Sequence, residues 1–144
     1  RECAFIAKAE LFDNFFIRFV SKYFNIYPIK RGTGDIGAMR KAISLINNGE
    51  ILVMFPEGTR SKDGKLLEGK SGVTLIAKKT GCRIVPCAIN NKPHIFKKTK
   101  LIFGEPFTVN ETKTSEELNC ETKRLMEKIK RLMEEINENN TCCR

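Results

Sequence analysis

The sequence predicts an α/β fold: a single domain with a mostly parallel or mixed central sheet flanked by helices, and a long C-terminal amphipathic helix. Three observations carry this prediction. Short apolar runs alternate with segments of helical periodicity through most of the chain. The run Ile51-Leu52-Val53-Met54-Phe55 has no polar alternation, as expected of a parallel strand covered on both faces. Near the C-terminus Thr114-Ser115-Glu116-Glu117 forms a capping-box pattern, and Leu118, Leu125, Ile129, Leu132 and Ile136 then mark one helical face.

Taken in order, Cys3-Ala4-Phe5-Ile6-Ala7 reads as a short buried strand. Residues 11–24 carry Leu11, Phe12, Phe15, Phe16, Phe19, Val20 and Tyr23 at helical spacing. This aromatic stripe is read as core in preference to a bilayer contact. Residues 26–29 form a strand that Pro28 confines to an edge or strand end. Asp35 can cap a helix with Ile36, Met39, Ile43 and Ile46 on one face, stopped by Asn47-Asn48-Gly49. After the strand at 51–55 comes a polar loop. A helix then spans 72–79 and ends at Gly81. Buried strands follow at 84–89 and 101–103. The domain is expected to occupy residues 1–137, with 138–144 a disordered polar tail.

The 144 residues suit one domain, and 41% are hydrophobic, enough for a core. Lys and Arg number 26 against 17 Asp and Glu, a formal charge of +9 that favours anionic partners without choosing among them. Six cysteines include no C-x-x-C and no zinc-finger spacing, so no metal is expected. Cys3, Cys82, Cys87 and Cys120 sit singly in apolar or helical stretches, where buried free thiols are common, and the setting is read as reducing and cytoplasmic. No apolar run approaches the roughly 20 residues that a spanning helix needs.

Ligands of open α/β sheets bind beyond the carboxyl ends of the strands. The loop Phe55-Pro56-Glu57-Gly58-Thr59-Arg60-Ser61 stands at such an end. Gly58 lets the backbone turn and show its N–H groups, Thr59 and Ser61 add donors, and Arg60 can grip a phosphate with two nitrogens. Glu57 can orient an arginine or accept from a substrate hydroxyl. The residues alone equally admit an ordinary strand-exit turn with a surface ion pair. A second cationic loop is Lys30-Arg31-Gly32, and Lys70 precedes the helix that starts at Gly72, where the helix dipole favours an anion. In a parallel sheet these connections open on one edge. The segment Gly64-Lys65-Leu66-Leu67-Glu68-Gly69-Lys70-Ser71 also fits the P-loop pattern, but it does not follow a strand directly, and no later apolar strand ends in Asp as a Walker B partner would.

These blocks resemble the glycerolipid acyltransferase family, the group containing 1-acyl-glycerol-3-phosphate acyltransferases. F-P-E-G-T-R-S at 55–61 resembles the third block of that family, Y-P-I-K-R-G at 27–32 the second, and I-V-P-C-A-I at 84–89 the fourth. F-I-A-K-A-E-L at 5–11 and G-K-S-G at 69–72 resemble its lead-in and its basic-Gly turn. The resemblance implies transfer of a fatty acyl group from acyl-CoA or acyl carrier protein, as co-substrate and without a cofactor, to lysophosphatidate or a glycerol phosphate. It implies that Arg31 and Arg60 pair with the phosphate, that Glu57, Gly58 and Thr59 shape the acceptor site, and that Lys70 assists. It implies work at a membrane surface, on its cytoplasmic face and as a peripheral protein.

In the family a histidine in an H-x-x-x-x-D motif serves as general base and its aspartate orients it. Here the sole histidine, His94, is followed at that spacing by Thr99. It is read as a loop histidine, and the catalytic His and Asp are expected upstream of Arg1. On this reading the chain is the acceptor-holding part and inactive alone. A P-loop nucleotide-binding module and a basic nucleic-acid-binding domain are the competing readings. The second lacks any recognised motif, its aromatics lying on an apolar face instead of interleaving with basic residues, and no nucleic-acid partner is expected.

Overall fold

The computed structural model of the chain describes residues 2–8, 19, 21, 25–29, 36–59, 61, 65–89 and 99–141. The chain divides into two compact units, residues 1–55 and 56–144.

The first unit is built on a parallel sheet. The strands β1 (Cys3–Lys8), β2 (Ile26–Ile29) and β3 (Ile51–Val53) lie in the order β2-β1-β3. Both outer strands run parallel to β1, with Lys8 in register with Ile29 and Phe5 with Val53. Pro28 therefore stands on an edge strand of the described sheet, as expected of a residue with no N–H to donate. Helix α1 (Ile36–Asn47) packs on β1 and β3. A Schellman motif ends it: Gly49 N–H donates to Ile46 O and Glu50 N–H to Leu45 O.

The structure departs from the sequence reading at two places in this unit. The stripe Ile36, Met39, Ile43 and Ile46 is not the most buried face of α1, although Met39, Ile43 and Ile46 are half-buried. Ala42 and Leu45 are the buried residues, and Ile36 is 62% exposed. The two stripes lie one residue, about 100°, apart on the helix, and small Ala42 allows the closer approach to the sheet. Nor is 51–55 a strand covered on both faces. Strand β3 spans only Ile51–Val53, and Phe55 is 73% exposed. The central strand is β1, where Ala4 is fully buried, while β3 stands at an edge of the described sheet.

The second unit is held by one long helix, α3 (Ser115–Thr141). It packs against α2 (Gly72–Thr80) and against an antiparallel pair, β4 (Cys87–Ile89) and β5 (Leu101–Phe103). The capping box forms as the sequence predicts. Glu117 N–H donates to Thr114 Oγ1 at 3.2 Å, and Thr114 N–H donates back to Glu117 Oε2 at 3.3 Å. Lys113 N–H, and then Thr114 N–H, donate to the Glu117 carboxylate, favour its ionised form and hold the carboxyl below its ordinary range. The core gathers Phe107, Leu125 and Ile129, with Leu66, Val73, Ile84, Met126 and Met133 packed against them. A buried hydrogen bond of 2.8 Å between Thr74 and Thr122 Oγ1 joins α2 to α3.

Here too the structure departs from expectation. The run 84–89 is not a buried strand throughout: among the described residues β4 pairs antiparallel with β5, and Ile84 bridges Phe107 in the same antiparallel sense. Pro86 and Ala88 turn inward, whereas Val85, Cys87 and Ile89 turn to solvent. A run with no polar residue cannot announce which of its two faces is outside. Cys3, Cys87 and Cys120 are exposed and Cys82 half-buried, so the expected buried thiols are not found, although all four are free. Helix α3 continues through 138–141, beyond its expected end at 137, because extending a formed helix costs far less than starting one. Of the aromatic helix at 11–24, Phe19 and Ser21 are described, both helical; the rest lies outside the described residues.

Candidate functional site

The parallel sheet brings the ends of β2 and β3 to one edge, because both strands follow the direction of β1. Strand β2 ends at Ile29 and leads into Lys30-Arg31-Gly32. Strand β1 ends beside it at Lys8, in register with Ile29. Arg31, Arg60 and His94 lie outside the described residues.

Beyond β3 the chain passes through Met54 and Phe55 into the connection 56–70 that leads to α2, of which residues 56–59, 61 and 65–70 are described. Glu57, Gly58, Thr59 and Lys70 therefore belong to one connection and not to two. Its neck is closed by Lys70 N–H donating to Pro56 O at 2.8 Å. Inside the neck, Leu67 N–H donates to Glu57 Oε2 at 2.8 Å. Leu66 reaches into the core cluster and anchors this side of the loop. Gly58 has φ 64°, a left-handed conformation that costs other residues about 1–2 kcal/mol. A Cβ there would lie 3.1 Å from Lys70 Cδ and 3.4 Å from Nζ, so the lysine side chain lies across the glycine. Gly58 and Thr59 are both exposed.

This arrangement puts an ammonium group over the turn at Gly58, beside the N-terminus of α2. Ser71, the N-cap of α2, makes no side-chain cap hydrogen bond, and the first turn holds no acidic residue. Glu57 and Lys70 form no ion pair with each other, so the surface ion pair that the sequence left open is absent between these two. The loop thus offers positive charge and backbone donors to an anion.

The P-loop pattern is not realised as a nucleotide cradle. Strand β3 ends at Val53, well before Gly64. Gly69, whose counterpart in a P-loop would approach phosphate, faces α3 instead: a Cβ there would stand 2.6 Å from Met126 Cγ and Sδ. An open cavity of about 300 Å³ lies at the opposite end of α2, lined by residues including Lys78, Cys82 and Thr112, none of them from the 56–70 loop. Among the described residues no group of three or more His, Cys, Asp or Glu could hold a metal ion.

A parallel sheet followed, after β3, by a closed loop with Lys70 across Gly58 defines an α/β protein with a candidate anion-binding connection. The comparisons with known proteins say which. The Acyltransferase family model matches residues 1–90. The 1-acyl-sn-glycerol-3-phosphate acyltransferase of Bacillus subtilis (strain 168) is 31% identical over 142 residues, 93% of this chain and 70% of that protein. The chloroplastic 1-acyl-sn-glycerol-3-phosphate acyltransferase of Arabidopsis thaliana is 33% identical over 87 residues, 59% of this chain and 24% of that protein. The crystal structure of the 1-acyl-sn-glycerophosphate acyltransferase PlsC from Thermotoga maritima superposes with a TM-score of 0.67 at 32% identity, covering 93% of this chain and 56% of that one. The chain belongs to the acyltransferase family of the 1-acyl-sn-glycerol-3-phosphate acyltransferases. It spans about half the length of the solved relative and up to 70% of the curated ones named here. The structural match runs through both units, in keeping with the single α/β domain read from the sequence.

Proposed function

We propose that this chain holds the acceptor phosphate in an acyl transfer of phospholipid synthesis. An acyl-CoA or acyl carrier protein thioester would give its acyl group to the free hydroxyl of lysophosphatidate; a C–O ester bond forms, the C–S bond breaks, and the thiol departs. The observation that carries this is the closed loop in which Lys70 lies across Gly58, with no acid paired to that lysine among the described residues. Family membership and fold support the reading.

Arg31, Arg60 and Lys70 supply charge to the phosphate, while Gly58 and Thr59 give the exposed backbone of its cradle. These 144 residues hold no H-x-x-x-x-D, so the reading assigns none of them as general base. No cofactor beyond the acyl donor is required. The lipid substrates place the work at the cytoplasmic face of a membrane, as a peripheral protein; no helix among the described residues is long and apolar enough to cross one. Nucleic acid has no part in this reading.

The test is titration of the 144-residue chain with monomeric lysophosphatidate and, separately, with lysophosphatidylcholine, which lacks the phosphate monoester. Saturable binding of the first alone is expected. Lys70→Ala and Arg60→Ala should each weaken it by roughly 10–150-fold, the worth of a charge-assisted hydrogen bond of about 1.5–3 kcal/mol. Equal affinity for both lipids, or full affinity in both variants, would refute the acceptor reading.

A further inference from the structure

We propose that Glu57 is a positioning residue: its carboxylate latches the 56–70 loop through Leu67 N–H, and it does so without touching the acceptor. The proposal rests on the acceptor reading above for what the loop binds, but the latch itself rests on geometry alone.

A carboxylate is an odd group to keep in a loop that offers positive charge to a phosphate, because it repels the ligand. The structure gives it another task. Glu57 Oε2 accepts from Leu67 N–H at 2.8 Å, across ten positions of sequence. The residue before Leu67 is Leu66, which packs against the Phe107–Leu125–Ile129 core. The bond thus ties the outgoing end of the loop, next to Gly58, to a point already fixed by core packing. Three residues on, Lys70 N–H closes the neck on Pro56 O at 2.8 Å. Lys70 is then positioned so that its side chain crosses Gly58. Glu57, Leu67, Lys70 and Pro56 form a two-bond clasp, and the ammonium is aimed by the clasp. A hydrogen bond from an N–H to a carboxylate is charge-assisted, roughly twice as strong as a neutral one. That explains an acid at this position with no cation needed as its partner.

Two variants of the 144-residue chain separate this from direct substrate contact. Glu57→Gln keeps an oxygen acceptor for Leu67 N–H and removes the negative charge. Glu57→Ala removes both. Hydrogen exchange at the Leu67 amide reads the latch directly, with amides of α2 and α3 reporting that the fold is intact. Leu67 should exchange at least tenfold faster in Glu57→Ala and within about threefold of the parent in Glu57→Gln. Affinity is read with two probes, inorganic phosphate and sn-glycerol 3-phosphate. The latch requires Glu57→Ala to weaken both probes alike, at least fivefold, and Glu57→Gln to bind both as well as the parent or tighter.

Unchanged Leu67 exchange in Glu57→Ala overturns the proposal. So does a loss confined to sn-glycerol 3-phosphate, which would show Glu57 accepting from the glycerol hydroxyl. If the parent chain binds neither probe, the acceptor reading fails, while Leu67 exchange still decides the latch.

Discussion

Gly69 is a point where the 56–70 connection meets the long helix, and it yields a quantitative prediction. A Cβ on Gly69 would meet Met126 Cγ and Sδ at 2.6 Å and Thr122 Cγ2 at 3.3 Å. Carbon–carbon contact is optimal near 3.5–4.0 Å, so Gly69→Ala must displace Met126, which packs on the core cluster. Overpacking of this kind costs about 1–3 kcal/mol. The φ of Gly69 lies outside the left-handed region, so the alanine also restrains the unfolded chain and returns about 0.4–1 kcal/mol. The net expectation is a loss of about 0.5–2 kcal/mol. In a Met126→Ala background both clashing atoms are gone, and only the easily relieved Thr122 contact remains. There Gly69→Ala should be neutral or slightly stabilising. Urea denaturation of the four members of this double-mutant cycle should give a coupling of about 1–2 kcal/mol. Additive effects, within about 0.5 kcal/mol, would mean that the loop does not press on α3 at Gly69.

Two further outcomes test the rest of the second unit. Leu125→Ala empties the centre of its core and should cost about 2–5 kcal/mol in urea denaturation; a loss below 1 kcal/mol would place the core elsewhere. The Glu117 carboxyl is lowered in the folded state chiefly by the backbone N–H of Lys113, then that of Thr114, with a smaller contribution from Lys78. Its contribution to stability is therefore present above the ordinary carboxyl value of 4.5 and is lost as pH falls through the lower folded value. Glu117→Gln should flatten the acid limb of stability against pH and change little at neutral pH beyond the weaker cap. An acid limb identical to that of the parent would show that the capping box is not formed in solution.

Much of this protein is legible from local chemistry. The capping box at Thr114–Glu117, the stop at Gly81 and the edge position of Pro28 all rest on neighbours within a few residues. They appear in the structure where the sequence puts them. Errors arise where a run is apolar on every side. Residues 84–89 have no polar member to mark their outer face, so the sequence could not separate a buried strand from an antiparallel ribbon with Ile89 and Val85 in solvent. The most buried stripe of α1 lies one residue from the apolar one because Ile43 and Ala42 are equally good helix-face members until the sheet selects the smaller.

The candidate site divides in the same way. The sequence by itself determined which residue types are present: a glycine that can turn, cations on either side of it, and an acid among them. Those follow from covalent order. Tertiary structure alone decided that Lys70 lies across Gly58, that Glu57 is engaged by Leu67 N–H, and that Gly69 is pressed on Met126 instead of opening toward a nucleotide. Each of these relations joins residues ten or more positions apart and depends on Leu66 being held by the core. No local propensity encodes a distance of that kind; only the packing of α3 against the loop sets it.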